Sequence, residues 1–354
     1  MRGTGGTDNK FEGAMSGKKL HFGIIGAGRI GKVHAETLAF RLPEAEIVCI
    51  ADVDRAAAEA LAARCGIPKV VATAEEVIGD PKVEAVLICT PTGTHADLIV
   101  KAAKAGKQIF CEKPIAFSLD KIDMALDAVK KAGVKLQIGF NRRFDSNFRR
   151  VRQAVARGEI GQPALMHIIS RDPAPPSIAY IKTSGGLFLD MMIHDFDMAR
   201  FLIGDEVEEI YTAGGVLAEP EIGEAGDLDM AVVVLRFKNG TIGTIDNSRK
   251  AVFGYDQRVE ILGTKGKIAT ENRFPNEVVV STGESVYSDL PLKFFMDRYP
   301  QSFAQEVAEF VQAVIDDKPT PVTGADGRVP VVMALAAKKS FDEHRPVKLA
   351  EVSA

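Results

Sequence analysis

The first 140 residues alternate short apolar runs with segments of helical periodicity. The apolar runs, which predict buried strands, span residues 20–25, 46–51, 83–89, 108–111 and 135–138. The helical segments between them span residues 29–41, 56–64, 95–105 and 119–132. Strand alternating with helix predicts a doubly wound, Rossmann-type parallel sheet with helices on both faces.

Beyond residue 140 the pattern changes to longer strand-like runs. A helical segment at 147–157 comes first, and the runs then span residues 164–170, 208–215, 230–237, 241–247, 257–262, 267–270 and 277–281. Asn239 and Gly240 separate two of these runs, which is a strong hairpin signal. Further helices are predicted at residues 186–202, 301–316 and 327–341. The pattern predicts an α+β region with a large, mostly antiparallel sheet flanked by helices.

A chain of 354 residues is long enough for about two domains. We predict a first domain over residues 19–140 and a second over residues 141–354. Residues 1–18 are Gly-rich and polar, and they lack the apolar segment of a signal peptide, so we interpret them as a flexible leader.

The composition narrows the classes of function. The net charge is −4, whereas nucleic-acid proteins usually carry a basic face, so no nucleic-acid partner is expected. No apolar run reaches the roughly 18 residues that span a bilayer, and no membrane partner is expected. The four cysteines form no CxxC pair, so we predict neither a disulfide framework nor a metal site. This cysteine usage favours a reducing, cytoplasmic compartment.

A glycine motif follows the first predicted strand. Gly26, Gly28 and Gly31 fit GxGxxG, with a strand before them and a helix after them. The first glycine permits a tight turn, the second lets a pyrophosphate approach the backbone, and the third lets helix and strand pack closely. The backbone N–H groups of Arg29 and Ile30 would then face the phosphates at the helix N-terminus.

Asp52 ends the second strand, about 20 residues after the last glycine, where a carboxylate can accept both ribose hydroxyls of NAD. The same carboxylate would repel the 2′-phosphate of NADP, although Arg55 would soften that preference. We therefore predict NAD as the cofactor, with NADP less favoured. Asp52 or Asp54 could instead only begin the next helix, since Asp is a good N-cap; we expect Asp54 to be that cap.

The next two strands end in polar residues at the same edge of the sheet, where ligands bind in open α/β folds. Candidate cofactor contacts there are Thr90, Thr92, His95, Glu112 and Lys113. His95 could instead only satisfy the local backbone, and Lys113 could simply be a surface lysine at a strand end. An alternative hypothesis is that Cys111 acts as a thiol nucleophile, but no residue next to it in the sequence could serve as its base.

Asp190 and His194 form the strongest chemical signal in the second domain. They lie four residues apart, so on an α-helix they would share a face, and the carboxylate could orient the imidazole. His194 could accept the proton of an alcohol during its oxidation. The alternative is a helix pair that only adds stability. Asp195 and Asp197 lie on other faces, and we expect them to be solvated or capping.

Three motifs in this order resemble the glucose-fructose oxidoreductase/inositol dehydrogenase family. They are GxGxxG, Thr90-Pro91 followed by His95, and Glu112-Lys113-Pro114. The resemblance extends from about residue 19 to 348. It implies a catalytic set of Lys113, Asp190 and His194, with the lysine ammonium stabilising the developing alkoxide. It also implies a homotetramer that assembles through the second-domain sheet.

The same resemblance suggests a polyol site formed by Asn141, Arg142, Asp172, Asp190, His194 and Tyr255. It implies NAD-dependent oxidation of a cyclic polyol, with myo-inositol converted to its 2-keto product as the leading expectation. Asp172 stands where a relative has asparagine, which keeps another inositol isomer or an aldose open as substrate. A catalytically silent, nucleotide-sensing regulator is the third alternative. Arg142, Arg143 and Asp145 could also form only an interdomain salt-bridge cluster.

Overall fold

The computed structural model describes residues 19–353; the predicted leader at 1–18 lies outside them. The first sheet has five parallel strands in the order β2-β1-β3-β4-β5. These strands are β1 (Leu20–Ile25), β2 (Ala45–Ala51), β3 (Ala85–Ile88), β4 (Gln108–Glu112) and β5 (Leu136–Gly139). The helices between them are α1 (Arg29–Arg41), α2 (Arg55–Cys65), α3 (Ala74–Gly79), α4 (His95–Lys104) and α5 (Leu119–Ala132). The predicted Rossmann-type sheet is confirmed.

Local sequence explains these boundaries. Nearly every residue of β1 is apolar and buried, as a central parallel strand requires. Asp54 caps α2 by accepting a hydrogen bond from the N–H of Ala57, and Gly66 ends the same helix in the left-handed conformation. The short helix α3 is one that the apolar pattern did not predict. Thr73 caps it by accepting from the N–H of Glu76.

The second sheet has seven strands in the order β11-β10-β6-β9-β8-β7-β14. They are β6 (Pro163–Arg171), β7 (Val207–Gly215), β8 (Met230–Phe237), β9 (Ile242–Ser248), β10 (Asp256–Gly263), β11 (Gly266–Thr270) and β14 (Val347–Lys348). The pair β6–β9 is parallel and the other described pairs are antiparallel, so the predicted sheet type is confirmed. The run predicted at 277–281 forms no part of this sheet. It contributes β12 (Val279–Ser281), which pairs with β13 (Val286–Ser288) in a separate exposed hairpin.

Seven further α-helices follow β5 in the part of the chain that the structure describes. They are α6 (Ser146–Ala156), α7 (Ile178–Ser184), α8 (Ile193–Ile203), α9 (Pro220–Glu224), α10 (Phe295–Arg298), α11 (Pro300–Ile315) and α12 (Gly324–Glu343). The continuous helix predicted over 186–202 is interrupted. A π-helical turn covers Leu187–Met191, and regular α-helix begins only at Ile193.

The last long helices return to the first sheet. Phe310 of α11 packs edge-on against Phe22 and Phe110, with ring centroids 6.1 and 5.7 Å apart. On α12, a Cβ at Gly327 would lie 2.7 Å from Ile115 and 2.8 Å from Ile138. The C-terminal part of the chain therefore completes the hydrophobic core of the N-terminal sheet.

The two faces of the second sheet differ in character. On the inner face Val233, Leu235 and Ile245 are fully buried. The outer face carries exposed apolar side chains on neighbouring strands: Leu165, Tyr211, Val232, Val234, Ile242 and Leu262. No helix among residues 19–353 is long and apolar enough to cross a membrane.

Candidate active site

The glycine turn between β1 and α1 is tightly built except at one position. Gly26 has a φ of 109°, and a Cβ there would lie 2.6 Å from the carbonyl oxygen of Cys89. A Cβ on Gly31 would lie 2.1 Å from the carbonyl oxygen of Gly26. A Cβ on Gly28 would meet nothing within 4 Å, so this glycine faces open space. The turn therefore leaves room for a ligand at its second glycine.

The N-terminus of α1 borders this open space. Arg29 begins the helix, and Ile30 follows it. Among the described residues no side chain caps this end, so its first N–H groups can bind an anion. The Arg29 guanidinium lies 5.3 Å from the centre of the Phe294 ring. The turn thus fits the pyrophosphate of a dinucleotide.

Asp52 is fixed at the end of β2. Its Oδ2 accepts a hydrogen bond from the N–H of Ala27 at 2.5 Å, and its Oδ1 accepts from the N–H of Asp54 at 2.7 Å. Because Asp52 is half-buried, the carboxylate still has lone pairs for ribose hydroxyls. Asp52 therefore orients the glycine turn and can also serve as a ribose acceptor.

The loops after β3 and β4 are tied together by His95. This side chain is 1% exposed, its Nε2 lies 2.7 Å from the carbonyl oxygen of Thr90, and its Nδ1 lies 2.8 Å from that of Pro114. The Thr90 and Thr94 hydroxyls are 2.7 Å apart, and Thr92 is half-buried beside them. The structure thus places His95 in backbone contacts, and a direct contact of His95 with the cofactor stays a prediction.

Lys113 directly follows β4 of the first sheet and contacts Asp190 in the π-helical turn Leu187–Met191. Its Nζ donates a hydrogen bond to the carbonyl oxygen of Asp190 at 2.7 Å and lies 3.7 Å from the Asp190 carboxylate. The preceding Glu112 is 9% exposed, and its Oε1 lies 2.7 Å from Nε2 of His34. Two of the three predicted catalytic residues are therefore in direct contact.

Asp190 is the centre of a larger polar network that the sequence did not predict. Its carboxylate accepts a hydrogen bond from the Tyr180 hydroxyl at 2.9 Å and one from Arg249 at 3.4 Å. Arg249 is 1% exposed and also reaches Asp227 at 3.5 Å. The position of Arg249, a basic residue directly after strand β9, was a signal for it. Tyr180 lies in the short helix α7, whose sequence offers no such signal.

His194 lies beside this network without joining Asp190. Asp190 is in the π-helical turn and His194 in α8, so the four-residue spacing does not place them on one helix face. The expected hydrogen bond is not formed, and the buried Nδ1 of His194 has no partner among the described residues. Burial lowers the pKa of His194 well below its ordinary value, and the charges of Lys113 and Arg142 lower it further. The imidazole is therefore a neutral group that can accept a proton.

Asp195 and Asp197 are buried, which corrects the expectation that they are solvated or capping. Oδ1 of Asp195 accepts a hydrogen bond from Arg142 at 2.5 Å. Asp197 accepts three hydrogen bonds from Arg143, at 2.6, 2.9 and 3.1 Å. Arg143 also donates to Asp326 of α12 at 3.0 Å. Arg143 therefore forms the salt bridges that the alternative interpretation expected, and it links Asp197 of α8 to Asp326 of α12.

The remaining predicted polyol contacts lie around Arg142. Its Nη2 donates to the hydroxyl of Tyr255 at 3.3 Å, and Tyr255 is 6% exposed. Asn141 is also buried. The pKa of Asp172 is raised to about 6, chiefly by burial and to a smaller extent by the charge of Asp190, while Arg142 opposes the rise. Asp145, the third member of the salt-bridge alternative, accepts a hydrogen bond from Arg298 at 2.6 Å.

The chain belongs to the GFO/IDH/MocA oxidoreductase family. The model of the oxidoreductase family with an NAD-binding Rossmann fold matches residues 20–140, and the model of the family's C-terminal domain matches residues 148–269. The resemblance inferred from the motifs is thereby confirmed, and so is NAD as the cofactor. The open space at Gly28 and the free N-terminus of α1 fit that cofactor.

Similar proteins match nearly the whole chain. A myo-inositol 2-dehydrogenase from Thermotoga maritima is 47% identical, covering 94% of this chain and 99% of the relative. An inositol 2-dehydrogenase from Rhizobium meliloti is 45% identical with the same coverage. The solved structure of a scyllo-inositol dehydrogenase from Lactobacillus casei with NAD(H) and scyllo-inositol matches with a TM-score of 0.88. That structure is 31% identical, and the match covers 94% of this chain and 100% of the other.

Proposed function

We propose that the protein is an NAD-dependent dehydrogenase that oxidises myo-inositol to its 2-keto product. The observation that carries the proposal is the contact of Lys113, from the end of the NAD-binding sheet, with Asp190 beside a neutral His194. In this proposal residues 19–140 bind NAD and residues 141–354 bind the polyol.

The proposed roles follow from charge and proton occupancy. His194 accepts the hydroxyl proton, because its imidazole is neutral and has a free nitrogen. The Lys113 ammonium stabilises the oxyanion that develops on the substrate. Asp190 keeps that ammonium in place and is itself oriented by Tyr180 and Arg249. NAD, when bound, supplies the acceptor for the hydride of the carbinol carbon.

A cyclic polyol suits the polar side chains around this centre. A buried hydroxyl without a partner costs about 1–3 kcal/mol, so each substrate hydroxyl needs a donor or an acceptor. Asn141, Arg142, Asp172 and Tyr255 offer a mixture of both. The names of the Thermotoga and Rhizobium relatives support myo-inositol as the substrate. Asp172 and the scyllo-inositol complex favour scyllo-inositol as the second candidate.

The test is NADH formation by the purified protein with NAD and a panel of myo-inositol, scyllo-inositol, D-chiro-inositol and glucose. Each reaction is repeated with NADP. We expect the highest kcat/KM with myo-inositol and NAD. Preference for scyllo-inositol would leave the proposed reaction unchanged and make scyllo-inositol, not myo-inositol, the substrate. NAD binding without turnover of any polyol would contradict the proposal and favour the nucleotide-sensing regulator.

Two variants test the assigned roles. Lys113→Ala and His194→Ala should each lower kcat by roughly 10²–10⁴-fold, because each removes charge or proton transfer at the reacting hydroxyl. NAD affinity of His194→Ala, measured by titration, should stay within about twofold of wild type. Lys131→Ala, a change of an exposed lysine on α5, is the matched control. Turnover equal to that of the control in either variant would overturn the assignment.

The proposed assembly is a homotetramer that forms through the outer face of the second sheet. Val232 and Val234 of β8 are 48% and 39% exposed, and Ile242 of the neighbouring β9 is 45% exposed. Apolar patches of this kind commonly mark contacts between proteins. Val234→Glu should yield smaller species in sedimentation velocity than the unmodified chain. A wild-type chain that sediments only as monomer at micromolar concentration would refute the assembly.

We also propose a cytoplasmic location. All four cysteines are free thiols, and Cys49 and Cys111 lie buried in strands where they pack as small apolar side chains. Free thiols of this kind are typical of reducing compartments. Fractionation of the native host cells tests the location, and recovery of the protein outside the cytoplasm would contradict it.

A further inference from the structure

Three ionisable side chains meet in the interior beneath the glycine turn. His34 lies on α1, Glu112 ends β4, and Glu306 lies on α11. His34 and Glu306 are fully buried. The nitrogen and carboxylate atoms of the three side chains lie within 4.8 Å of one another. No step of the proposed reaction uses His34 or Glu306, so their burial calls for a separate explanation.

The surroundings of His34 fix the position of its ring hydrogen. Nε2 lies 2.7 Å from Oε1 of Glu112, whereas the buried Nδ1 has no partner among the described residues. The ring packs edge-on against Phe110 and Phe303. An unpartnered N–H in such a place would lose a hydrogen bond to water. The ring hydrogen is therefore on Nε2, which donates it to Oε1 of Glu112.

Glu306, unlike Glu112, receives no hydrogen bond from His34. Both of its carboxyl oxygens are buried and accept no hydrogen bond from the described residues, and Nε2 of His34 is 3.9 Å away. A carboxylate oxygen of Glu112 lies within 4.8 Å of a Glu306 oxygen. A buried carboxylate without a cation is strongly disfavoured. Burial raises the pKa of Glu306 well above its usual value, and the charge of Glu112 raises it further.

The elements packed on α11 present no cation to Glu306. The titratable groups that face it are His34 from α1, Glu112 from β4 and the Cys89 thiol after β3. From β5, Gln137 donates to the backbone oxygen of Glu306 at 2.8 Å. The Asn141–Phe144 turn also packs on α11. Its two arginines are paired elsewhere: Arg142 donates to Asp195, and Arg143 donates to Asp197.

We propose that Glu306 is held as the neutral acid and shares its proton with Glu112. The cluster then carries one negative charge, on the carboxylate that immediately precedes Lys113. Gly139 completes the site, since a Cβ there would lie 2.9 Å from Oε1 of Glu112. Glu306 is therefore a positioning residue, which acts on the NAD site through the Glu112-Lys113 segment.

A divalent metal is the competing occupant, because histidine nitrogens and glutamate oxygens both bind Zn²⁺. A metal on Nε2 would move the ring hydrogen of His34 to Nδ1. Metal-bound histidines almost always donate that second hydrogen to an acceptor. Among the described residues Nδ1 of His34 has no acceptor, so the geometry favours the shared proton.

Infrared spectroscopy of the full chain at pH 8 tests the protonation directly. We expect a carbonyl stretch of a protonated carboxyl group that disappears in Glu306→Gln. The band should persist in Glu309→Gln, a control on the same helix whose carboxylate pairs with Arg149 at 2.5 Å. Spectra of wild type and Glu306→Gln that are identical in this region would overturn the proposal. One equivalent of tightly bound divalent metal that is lost in Glu306→Gln would also overturn it.

NAD titration of the free enzyme tests the positioning role without relying on the substrate. Glu306→Gln, which imitates the neutral acid, should keep the NAD dissociation constant within about twofold of wild type. Glu306→Leu, which cannot donate to Glu112, should raise it by about tenfold. Equal dissociation constants for the two variants would refute the role of the proton. Circular dichroism shows whether the Leu variant folds, and the infrared comparison decides the proposal if it does not.

Discussion

Alanine at Gly28 separates cofactor binding from folding more cleanly than any other change in the glycine turn. The backbone of Gly28 has a φ of −67°, which alanine adopts without strain, and the added Cβ meets nothing within 4 Å. Gly→Ala changes at compatible positions add about 0.4–1 kcal/mol of stability through the unfolded chain. The less favourable N-cap behaviour of alanine costs a similar amount. The free energy of unfolding should therefore change by less than about 1 kcal/mol.

The effect on NAD should be much larger. The methyl group fills the space in front of the α1 N-terminus, so a pyrophosphate loses at least one N–H contact. A hydrogen bond to a charged group contributes about 1.5–3 kcal/mol, which corresponds to a dissociation constant about 10- to 150-fold higher. Titration calorimetry measures this constant, and urea unfolding measures the stability. Gly79→Ala, also free of neighbours within 4 Å, is the control. Wild-type NAD affinity in Gly28→Ala would refute the placement of the pyrophosphate.

Three further outcomes follow from buried charges. Asp197→Asn removes the negative charge that neutralises the buried Arg143 guanidinium, so the free energy of unfolding, measured in urea, should fall by about 3 kcal/mol. An unchanged urea midpoint would contradict this. Burial raises the pKa of Asp172 to about 6 in the folded state, so the free energy of unfolding decreases as the pH rises from about 4 to 6 and Asp172 ionises. Asp172→Asn should therefore raise the melting temperature at pH 8 and leave it unchanged at pH 3.5, and equal shifts at both pH values would argue against it. The lowered pKa of His194 predicts a kcat/KM that shows no inflection near pH 6.5, and a pH profile with such an inflection would contradict its assignment as a buried neutral base.

The apolar pattern was sufficient for the architecture because each strand of the first sheet is a short, continuous apolar run. The second sheet was also predictable from its strand-like runs and the Asn239-Gly240 hairpin, which joins β8 and β9. The pattern failed where tertiary context decides. Val279–Ser281 has the composition of a core strand, yet it lies in an exposed two-stranded hairpin. Leu187–Met191 reads as regular helix, yet it adopts the π form.

Motifs and residue spacing were sufficient to identify the main candidate site residues, but not the contacts between them. Lys113, Asp190 and His194 stand out in the sequence, and the structure brings the first two into contact. The contacts of Asp190 with Tyr180 and Arg249 were not predictable, because these partners lie 10 and 59 residues away from it along the chain. Periodicity on a single helix cannot reveal such long-range pairs. For the same reason Asp195 and Asp197 looked solvated although arginines from the Asn141–Phe144 turn neutralise them.

The return of α11 to the first sheet restricts how this chain can be cut or recombined. A fragment that ends at Gly139 would contain every strand of the NAD-binding sheet but would leave Phe22 and Phe110 without the Phe310 ring that covers them. It would also remove Glu306 from His34 and Glu112. A chimera that exchanges the polyol-binding region must therefore keep residues 300–315 with the cofactor half, although about 160 residues separate them along the chain.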